Sequence, residues 1–195
     1  MNSKRRLLRL ASGAALLPLM AQARSARPAR RSTMADYLPN VVLETHDGRK
    51  VRFYDDLVRG KLVAFNMMYA ICEGICPAST ANLKQVQQAL GPRVGRDIFL
   101  YSITLRPEFD NPAALRDYIR YHGLQPGWTF LTGKPEDVEL VRRKLGFVGD
   151  DAATDANIGQ HTGMLRVGND RLDRWTMTPA LGSHRQILRT ILELT

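Results

Sequence analysis

The sequence predicts a single α/β domain in which helices cover a central mixed β-sheet. Its length of 195 residues suits one compact domain. With 44% hydrophobic and 24% charged residues, the composition matches an ordinary globular chain and excludes collagen-like, coiled-coil and largely disordered classes. From residue 38 onward, strand-like and helix-like periodicities alternate, which indicates a sheet with helical connections.

The first 37 residues differ from the rest of the chain and predict an export signal followed by a lead-in. Residues 1–23 begin with positive charge, continue with an apolar stretch and end with the small residues Ala21 and Ala23, which is the order of a cleavable signal peptide. The apolar stretch is shorter than the roughly 20 residues that span a bilayer, so a permanent anchor is the weaker alternative. Both the ordinary secretory route and twin-arginine export are compatible with the basic start. Residues 24–37 predict a flexible lead-in, with loose contact to anionic lipid as an alternative. The expected location is therefore periplasmic or otherwise exported, with the protein soluble or loosely membrane-associated.

The formal net charge of +9 belongs mainly to this leader. Eight of the 28 basic residues precede residue 32, and no acidic residue precedes Asp36, which leaves a net charge of +1 for residues 32–195. A nearly neutral domain gives no reason to expect a nucleic-acid partner.

The predicted domain, residues 38–195, begins with a hairpin. Residues 41–44 and 51–53 read as strands on either side of an Asp-Gly turn. Residues 61–69 are almost continuously apolar, which is typical of a strand buried on both faces. The remaining predicted elements are a helix at 77–90, a strand at 97–104, a helix opening at Asn111 and Pro112, a strand at 128–131, a helix at 134–145, a polar loop at 150–160, strands at 164–167 and 172–177 around a turn at 168–171, and a helix at 183–194. This order describes a thioredoxin-like plan with an added N-terminal β-hairpin.

Cys72 and Cys76 are the only cysteines, and they lie where the buried strand passes into a helix. The partial positive charge of a helix N-terminus favours thiolate over thiol, and the spacing brings two sulfurs together around one turn. Two adjacent thiolates can form a disulfide or bind a soft metal ion. The alternative is a disulfide with a purely structural role. Closing so short a loop removes little chain entropy, so a redox or metal-binding role explains the cysteine pair better.

A third ligand would have to come from elsewhere in the chain, and histidine is the natural donor. His46, His122 and His184 are expected to be solvated surface residues. His161 differs because it stands just before the closing hairpin. In a thioredoxin-like sheet, the segment that enters this hairpin lies beside the strand-to-helix loop that holds Cys72 and Cys76, here called the cysteine loop. His161 is therefore the candidate third ligand. Four methionines are soft donors too, but they are expected to fill the core: Met67, Met68, Met164 and Met177.

These motifs together resemble the SCO/SenC family over about residues 38–194. The resemblance is carried by the run 62–66 leading to Cys72-x-x-x-Cys76-Pro77, the segment 106–112, the Trp-Thr-Phe-Leu-Thr-Gly block at 128–133 and the late His161. It implies a thioredoxin-like fold and delivery of copper to the dinuclear copper centre of cytochrome c oxidase. It also implies that Cys72 and Cys76 are thiolate ligands and redox partners and that His161 completes the site. Two thiolates and an imidazole suit Cu(I), and Cu(II) with an added oxygen ligand, whereas zinc normally takes a fourth ligand.

The sequence departs from the family pattern at two positions near the expected site. Arg106 stands where many members have Asp, and Glu73 stands where many have Pro. The chain also has no predicted transmembrane tether, which many members carry. The charge around the ligands is therefore expected to differ, while the three ligand positions are retained.

Two functions are compatible with these residues. One is a copper chaperone, which is not primarily an enzyme. Its expected partners are a copper-receiving protein, such as a cytochrome c oxidase subunit, and a thiol reductant protein. The other is a thiol-disulfide oxidoreductase in which Cys72 or Cys76 attacks a partner's disulfide. Thioredoxin-type reductases usually place a cis-proline beside the active pair, and this sequence has no Pro between 135 and 179, which favours metal handling. Glu108 and Asp110 are interpreted as a helix-entry turn rather than an acid-base pair.

Overall fold

A computed structural model describes residues 32–71, 75–149, 151, 155 and 163–195 of the chain. Its strands are β1 (Val42–Thr45), β2 (Lys50–Arg52), β3 (Leu62–Met68), β4 (Ile98–Thr104), β5 (Trp128–Gly133), β6 (Met164–Asn169) and β7 (Arg174–Pro179). Its helices are α1 (Met34–Tyr37), α2 (Ile75–Leu90), α3 (Pro112–His122), α4 (Pro135–Lys144) and α5 (His184–Leu192).

The seven strands form one mixed sheet in the order β2-β1-β5-β4-β3-β6-β7. The β3–β4 and β4–β5 pairs are parallel, and the other neighbours are antiparallel. Helices cover both faces, so the predicted class, a thioredoxin-like α/β fold with an N-terminal hairpin, is confirmed. Among the helices of the described residues, none has the length and apolar character needed to cross a bilayer.

β3 lies inside the sheet and all seven of its residues are buried. Alternate side chains enter two apolar clusters. Leu62, Ala64 and Met68 join the cluster that contains buried residues of α2, α3 and α5. Val63, Phe65 and Met67 join the opposite cluster, which contains residues of α4. The prediction of a strand buried on both faces is confirmed, and Met67 and Met68 fill the core as expected.

The hairpin is present, but the chain does not continue as a strand through Phe53. Residues Phe53–Val58 form a π-helical segment that the periodicity does not indicate. The carboxylate of Asp56 accepts a hydrogen bond from the backbone N–H of Arg52 at 2.6 Å, which satisfies a donor at the start of the segment. Phe53 and Val51 are both buried, and this two-residue spacing imitates a strand.

The closing hairpin turns two residues later than predicted. The sequence pattern puts Gly168 in the turn, but this residue lies within β6, paired with Trp175 of β7. The indole ring covers Gly168 so closely that an added Cβ would lie 2.1 Å from it. The turn instead follows Asn169, whose side-chain oxygen accepts from the N–H groups of Arg171 and Leu172 at 3.1 and 3.3 Å.

The described fold starts ahead of the predicted boundary at residue 38. Ser32 is buried, its hydroxyl donates to Asp173 at 3.1 Å, and the short helix α1 follows. Residues 32–37 are therefore part of the packed domain rather than of a flexible lead-in. The predicted signal at 1–23 and the lead-in up to residue 31 lie outside the described residues.

Candidate metal centre

Cys76 lies in the first turn of α2, where that helix leaves the edge of the sheet. It is 1% exposed and belongs to the apolar cluster that includes Met68 and Leu165. The helix begins two residues before the predicted start at Pro77, so Cys76 is a helical residue rather than a loop residue. Its position is consequently fixed by the core as well as by the helix.

Cys72 and His161 lie outside the described residues. Among the residues that the structure does describe, no three His, Cys, Asp or Glu side chains form a group that could hold a metal ion. The ligand set of Cys72, Cys76 and His161 therefore stays a prediction.

The sheet brings the chain segments flanking these two residues to the same edge. β3 ends at Met68 and leads toward Cys72, while β6 begins at Met164, three residues after His161. The two strands are antiparallel neighbours, with Asn66 opposite Leu165. The end of β3 and the start of β6 therefore adjoin.

The cysteine loop is held on its near side by a buried carboxylate. Asp110 is 2% exposed, and its Oδ2 accepts hydrogen bonds from the backbone N–H of Ala70 at 3.0 Å and from the hydroxyl of Thr104 at 2.5 Å. The backbone N–H of Leu105 donates to the carbonyl of Met68 at 2.8 Å. Two residues before Cys72, the loop is thus fastened to the neighbouring β4–α3 loop.

Sequence reasoning missed this contribution of Asp110. The predicted helix-entry turn exists, since the N–H of Asp110 donates to the carbonyl of Arg106 at 2.9 Å. However, Asn111 caps α3 by itself, because its side-chain oxygen accepts from the N–H groups of Ala113 and Ala114. An acid beside a residue that already supplies the cap was the available signal that Asp110 serves another purpose.

Arg106, one of the departures from the family pattern, lies in the same loop. Its guanidinium stacks over the ring of Phe109, 4.4 Å from the centroid, and that ring is 58% exposed. Glu73, the other departure, lies outside the described residues.

A hydrogen-bonded chain of buried polar groups links the three strands that lead to this edge. The indole N–H of Trp128 donates to Ser102 at 2.9 Å, and the hydroxyl of Ser102 donates to the side-chain oxygen of Asn66 at 2.6 Å. All three residues are buried. Asn66 and Trp128 belong to the motifs noted in the sequence, and the structure gives both a part in holding β3, β4 and β5 together.

On the approach to His161, the chain is tied down at Asp155. Both oxygens of Asp155 accept from the guanidinium of Arg142 at 2.9 and 3.0 Å, and one also accepts from the N–H of Gly149 at 2.9 Å. These donors, Arg142 first among them, hold the pKa of Asp155 well below its usual range. Residue 155, which the sequence predicts to lie in a loop at 150–160, is helical instead, and these bonds anchor it to α4.

The expectation that His46, His122 and His184 are solvated surface residues is wrong, because each of them is half-buried. The Nδ1 of His46 accepts from the backbone N–H of Phe130 at 3.2 Å, and burial lowers the pKa of His46. Burial also lowers the pKa of His122, whose ring packs 4.3 Å from that of Tyr118. Both half-buried rings therefore favour the neutral form, and His184 is half-buried at the start of α5.

The fold and the edge just described define a thioredoxin-like protein that carries a cysteine in the first turn of the helix following its central strand. The sequence profile of the SCO1/SenC family matches residues 31–195. The chain belongs to the SCO1/SenC family.

Individual relatives agree with this assignment. The SCO1 protein homolog of Bacillus subtilis is 29% identical over 91 residues, which is 46% of each chain, so this chain's match spans about half the length of that curated relative. Yeast Sco1 with copper bound is a structural neighbour with a TM-score of 0.61 and 20% identity, covering 78% of this chain and 87% of the neighbour. BsSco, described as having a disulfide switch and as a member of the Sco family of cytochrome c oxidase assembly proteins, has a TM-score of 0.62 and 19% identity, with 79% and 90% covered. At these identities the two structural likenesses show the fold alone.

Proposed function

We propose that this protein is an exported copper chaperone that holds copper through Cys72, Cys76 and His161. We further propose that it delivers the ion to a copper-receiving protein, with a subunit of cytochrome c oxidase as the favoured recipient. The observation that supports this most is the antiparallel pairing of β3 with β6, because it brings the segments flanking the cysteines and His161 to one edge of the sheet. The family assignment and the copper-bound yeast relative agree with it.

The donor set suits the proposed cargo. Cu(I) is a soft ion that prefers thiolate sulfur and accepts imidazole, and three donors satisfy its low coordination number. Each thiol loses a proton when copper binds, so copper affinity is expected to rise with pH. Transfer then requires that the recipient's ligands replace these three donors one at a time.

The same cysteines support a second function, the exchange of thiols and disulfides. In this function a thiolate at Cys72 or Cys76 attacks a partner's disulfide and forms a mixed disulfide, and one partner sulfur leaves as a thiol. The other cysteine then displaces the second partner sulfur, so the partner gains two electrons and two protons while Cys72 and Cys76 become a disulfide. A disulfide switch has been identified in the structural neighbour BsSco, which supports this alternative.

Anaerobic titration of the reduced protein against a Cu(I) chelator tests the proposal. We expect one Cu(I) per chain, and more than about a 100-fold loss of affinity for Cys72→Ser, Cys76→Ser and His161→Ala, since removing a ligand should cost more than the 10- to 100-fold typical of changes around the ligands. His184→Ala is the matched control and should bind as the wild type does.

Unchanged affinity in His161→Ala would remove that residue from the site. Stoichiometric reduction of disulfide substrates by a protein that binds no copper would replace the chaperone with the oxidoreductase. The recipient is tested separately, by measuring cytochrome c oxidase activity in a deletion strain grown under copper limitation, where a loss of activity that added copper restores is expected.

A further inference from the structure

We propose that Asp110 is a positioning residue of the metal centre, which holds the cysteine loop in its copper-binding arrangement without touching copper. This role rests on the copper-binding function proposed above. It is suggested by a carboxylate that is almost fully buried and whose backbone partner, Ala70, stands two residues before Cys72.

Asp110 joins two loops that leave the sheet from adjacent strands. A single oxygen, Oδ2, accepts from the N–H of Ala70 on the β3 side and from the hydroxyl of Thr104 at the end of β4. That hydroxyl in turn accepts from the N–H of Arg106 at 2.9 Å. The chain of bonds therefore fixes the start of the cysteine loop against a rigid parallel strand pair.

The loop has a second fixed point at its far end. Cys76 is buried in the core within α2, so the chain between Ala70 and Cys76 is held at both ends. Without the acceptor at Asp110, the nearest fixed point on the β3 side becomes Met68, whose carbonyl is held by Leu105. Two more residues must then be ordered whenever Cys72 joins Cys76 around an ion, and ordering backbone opposes binding.

The size of the effect follows from how metal sites respond to changes around their ligands. Loss of a group that orients a ligand typically weakens metal binding by about 10- to 100-fold. We expect a loss in this range for Cu(I) in Asp110→Ala. Asp110→Asn retains an oxygen that can accept both hydrogen bonds, so its affinity should stay within about threefold of wild type.

The experiment combines a copper-dependent and a copper-independent readout on the full-length reduced protein. Cu(I) affinity is measured by competition with a chelator for the wild type, Asp110→Ala, Asp110→Asn and the matched control Asp117→Ala, which removes an exposed acid from α3. Amide hydrogen exchange at Ala70 is followed by NMR without copper, and it should be at least tenfold faster in Asp110→Ala than in the wild type. All variants are compared at a temperature where circular dichroism shows them folded.

The results separate this role from a general loss of stability and from failure of the copper proposal. Rescue by Asp110→Asn together with normal binding by Asp117→Ala supports positioning, whereas copper affinity within threefold of wild type in Asp110→Ala overturns it. If the wild type binds no copper, the proposed function fails, and slow exchange at Ala70 that Asp110→Ala abolishes would still show that Asp110 holds the loop. Should Asp110→Ala not fold, Asp110→Leu takes its place, because it keeps a side chain of similar shape but offers no acceptor to Ala70, and unchanged copper affinity and Ala70 exchange in that variant overturn the proposal.

Discussion

In the described part of the chain, several carboxylates hold loops in place by accepting a hydrogen bond from a backbone N–H outside their own turn. Asp110 accepts from Ala70, Asp155 from Gly149 and Asp170 from Gly60. An acid used in this way is shape-determining rather than catalytic, because its lone pairs are committed to neighbouring donors. At the scale of single residues, short polar side chains thus fix segments that have no regular structure.

Asp170 offers a direct test of this use of acids. Its buried Oδ2 accepts from the N–H of Gly60 at 2.7 Å, and the hydroxyl of Tyr54 donates to Oδ1 at 3.2 Å. Asp170→Ala leaves both donors without this acceptor, so the free energy of unfolding should fall by about 1–3 kcal/mol. Urea denaturation measures the change. Asp170→Asn, which keeps an acceptor oxygen, should recover much of the loss, and equal stability of the wild type and Asp170→Ala would contradict the interpretation.

Among the elements, the β6–β7 pair depends on the absence of a side chain at Gly168. The indole ring of Trp175 occupies the space where a Cβ would lie. Gly168→Ala should therefore displace the ring and destabilise the protein by about 1–3 kcal/mol, as overpacking does. Thermal or urea unfolding checks this. Gly163→Ala is the matched control, because a Cβ added at Gly163 would meet no described atom within 4 Å. If Gly168→Ala lowers the stability no more than Gly163→Ala does, the indole ring of Trp175 moves away at little cost in free energy.

The order of the strands and helices could be predicted from local pattern, whereas the exact course of two segments could not. β3, α3 and β4 carry unambiguous signals: a continuous apolar run, an Asn-Pro helix start and a second apolar strand. The π-helical segment at Phe53–Val58 depends on the packing of Phe53 among core residues that lie far along the chain. The position of the last turn depends on how the ring of Trp175 packs on Gly168 across the hairpin. No local periodicity contains that information.

For the candidate site, the sequence predicts the candidate ligands but not the residues that anchor the loops around them. The two cysteines and His161 stand out by residue type and by their place in the element order. The anchoring by Asp110 and Asp155 did not stand out, because their partners Ala70 and Arg142 lie 40 and 13 residues away in the sequence. Only the neighbouring Asn111, which already caps α3, distinguishes Asp110 in the sequence. A carboxylate in a polar loop otherwise looks the same whether it faces water or accepts from a backbone N–H.

For the molecule as a whole, stability should decrease as pH falls, in two stages. Burial lowers the pKa of His46 and His122 in the folded protein, so the unfolded chain binds more protons below its histidine pKa of about 6.5. Hydrogen bonds from Arg142 lower the pKa of Asp155 and Glu139, and their contribution is present above an unfolded pKa of about 4 and is lost as pH falls below it.

Urea denaturation of the reduced protein at about pH 7.5, 5.5 and 3.0 measures both stages. The midpoint should fall from pH 7.5 to 5.5 and again below about 4. His46→Asn, which keeps an acceptor for the N–H of Phe130 but does not titrate, should show a smaller decrease in the first interval. A midpoint that does not change between pH 7.5 and 5.5 would contradict the assignment of neutral, partly buried histidines.

The interior position of β3 determines which strands separate first when the sheet opens locally. Local unfolding begins at the outer strands of a sheet. Here these are the three-residue strand β2 and the strand β7, whose outer side has no neighbouring strand among the described residues. The strand that leads to Cys72 is flanked by β4 and β6 and is buried along its whole length, so it should be among the last to separate. The end of β3 that precedes Cys72 can therefore stay paired while β2 and β7 separate transiently from the sheet.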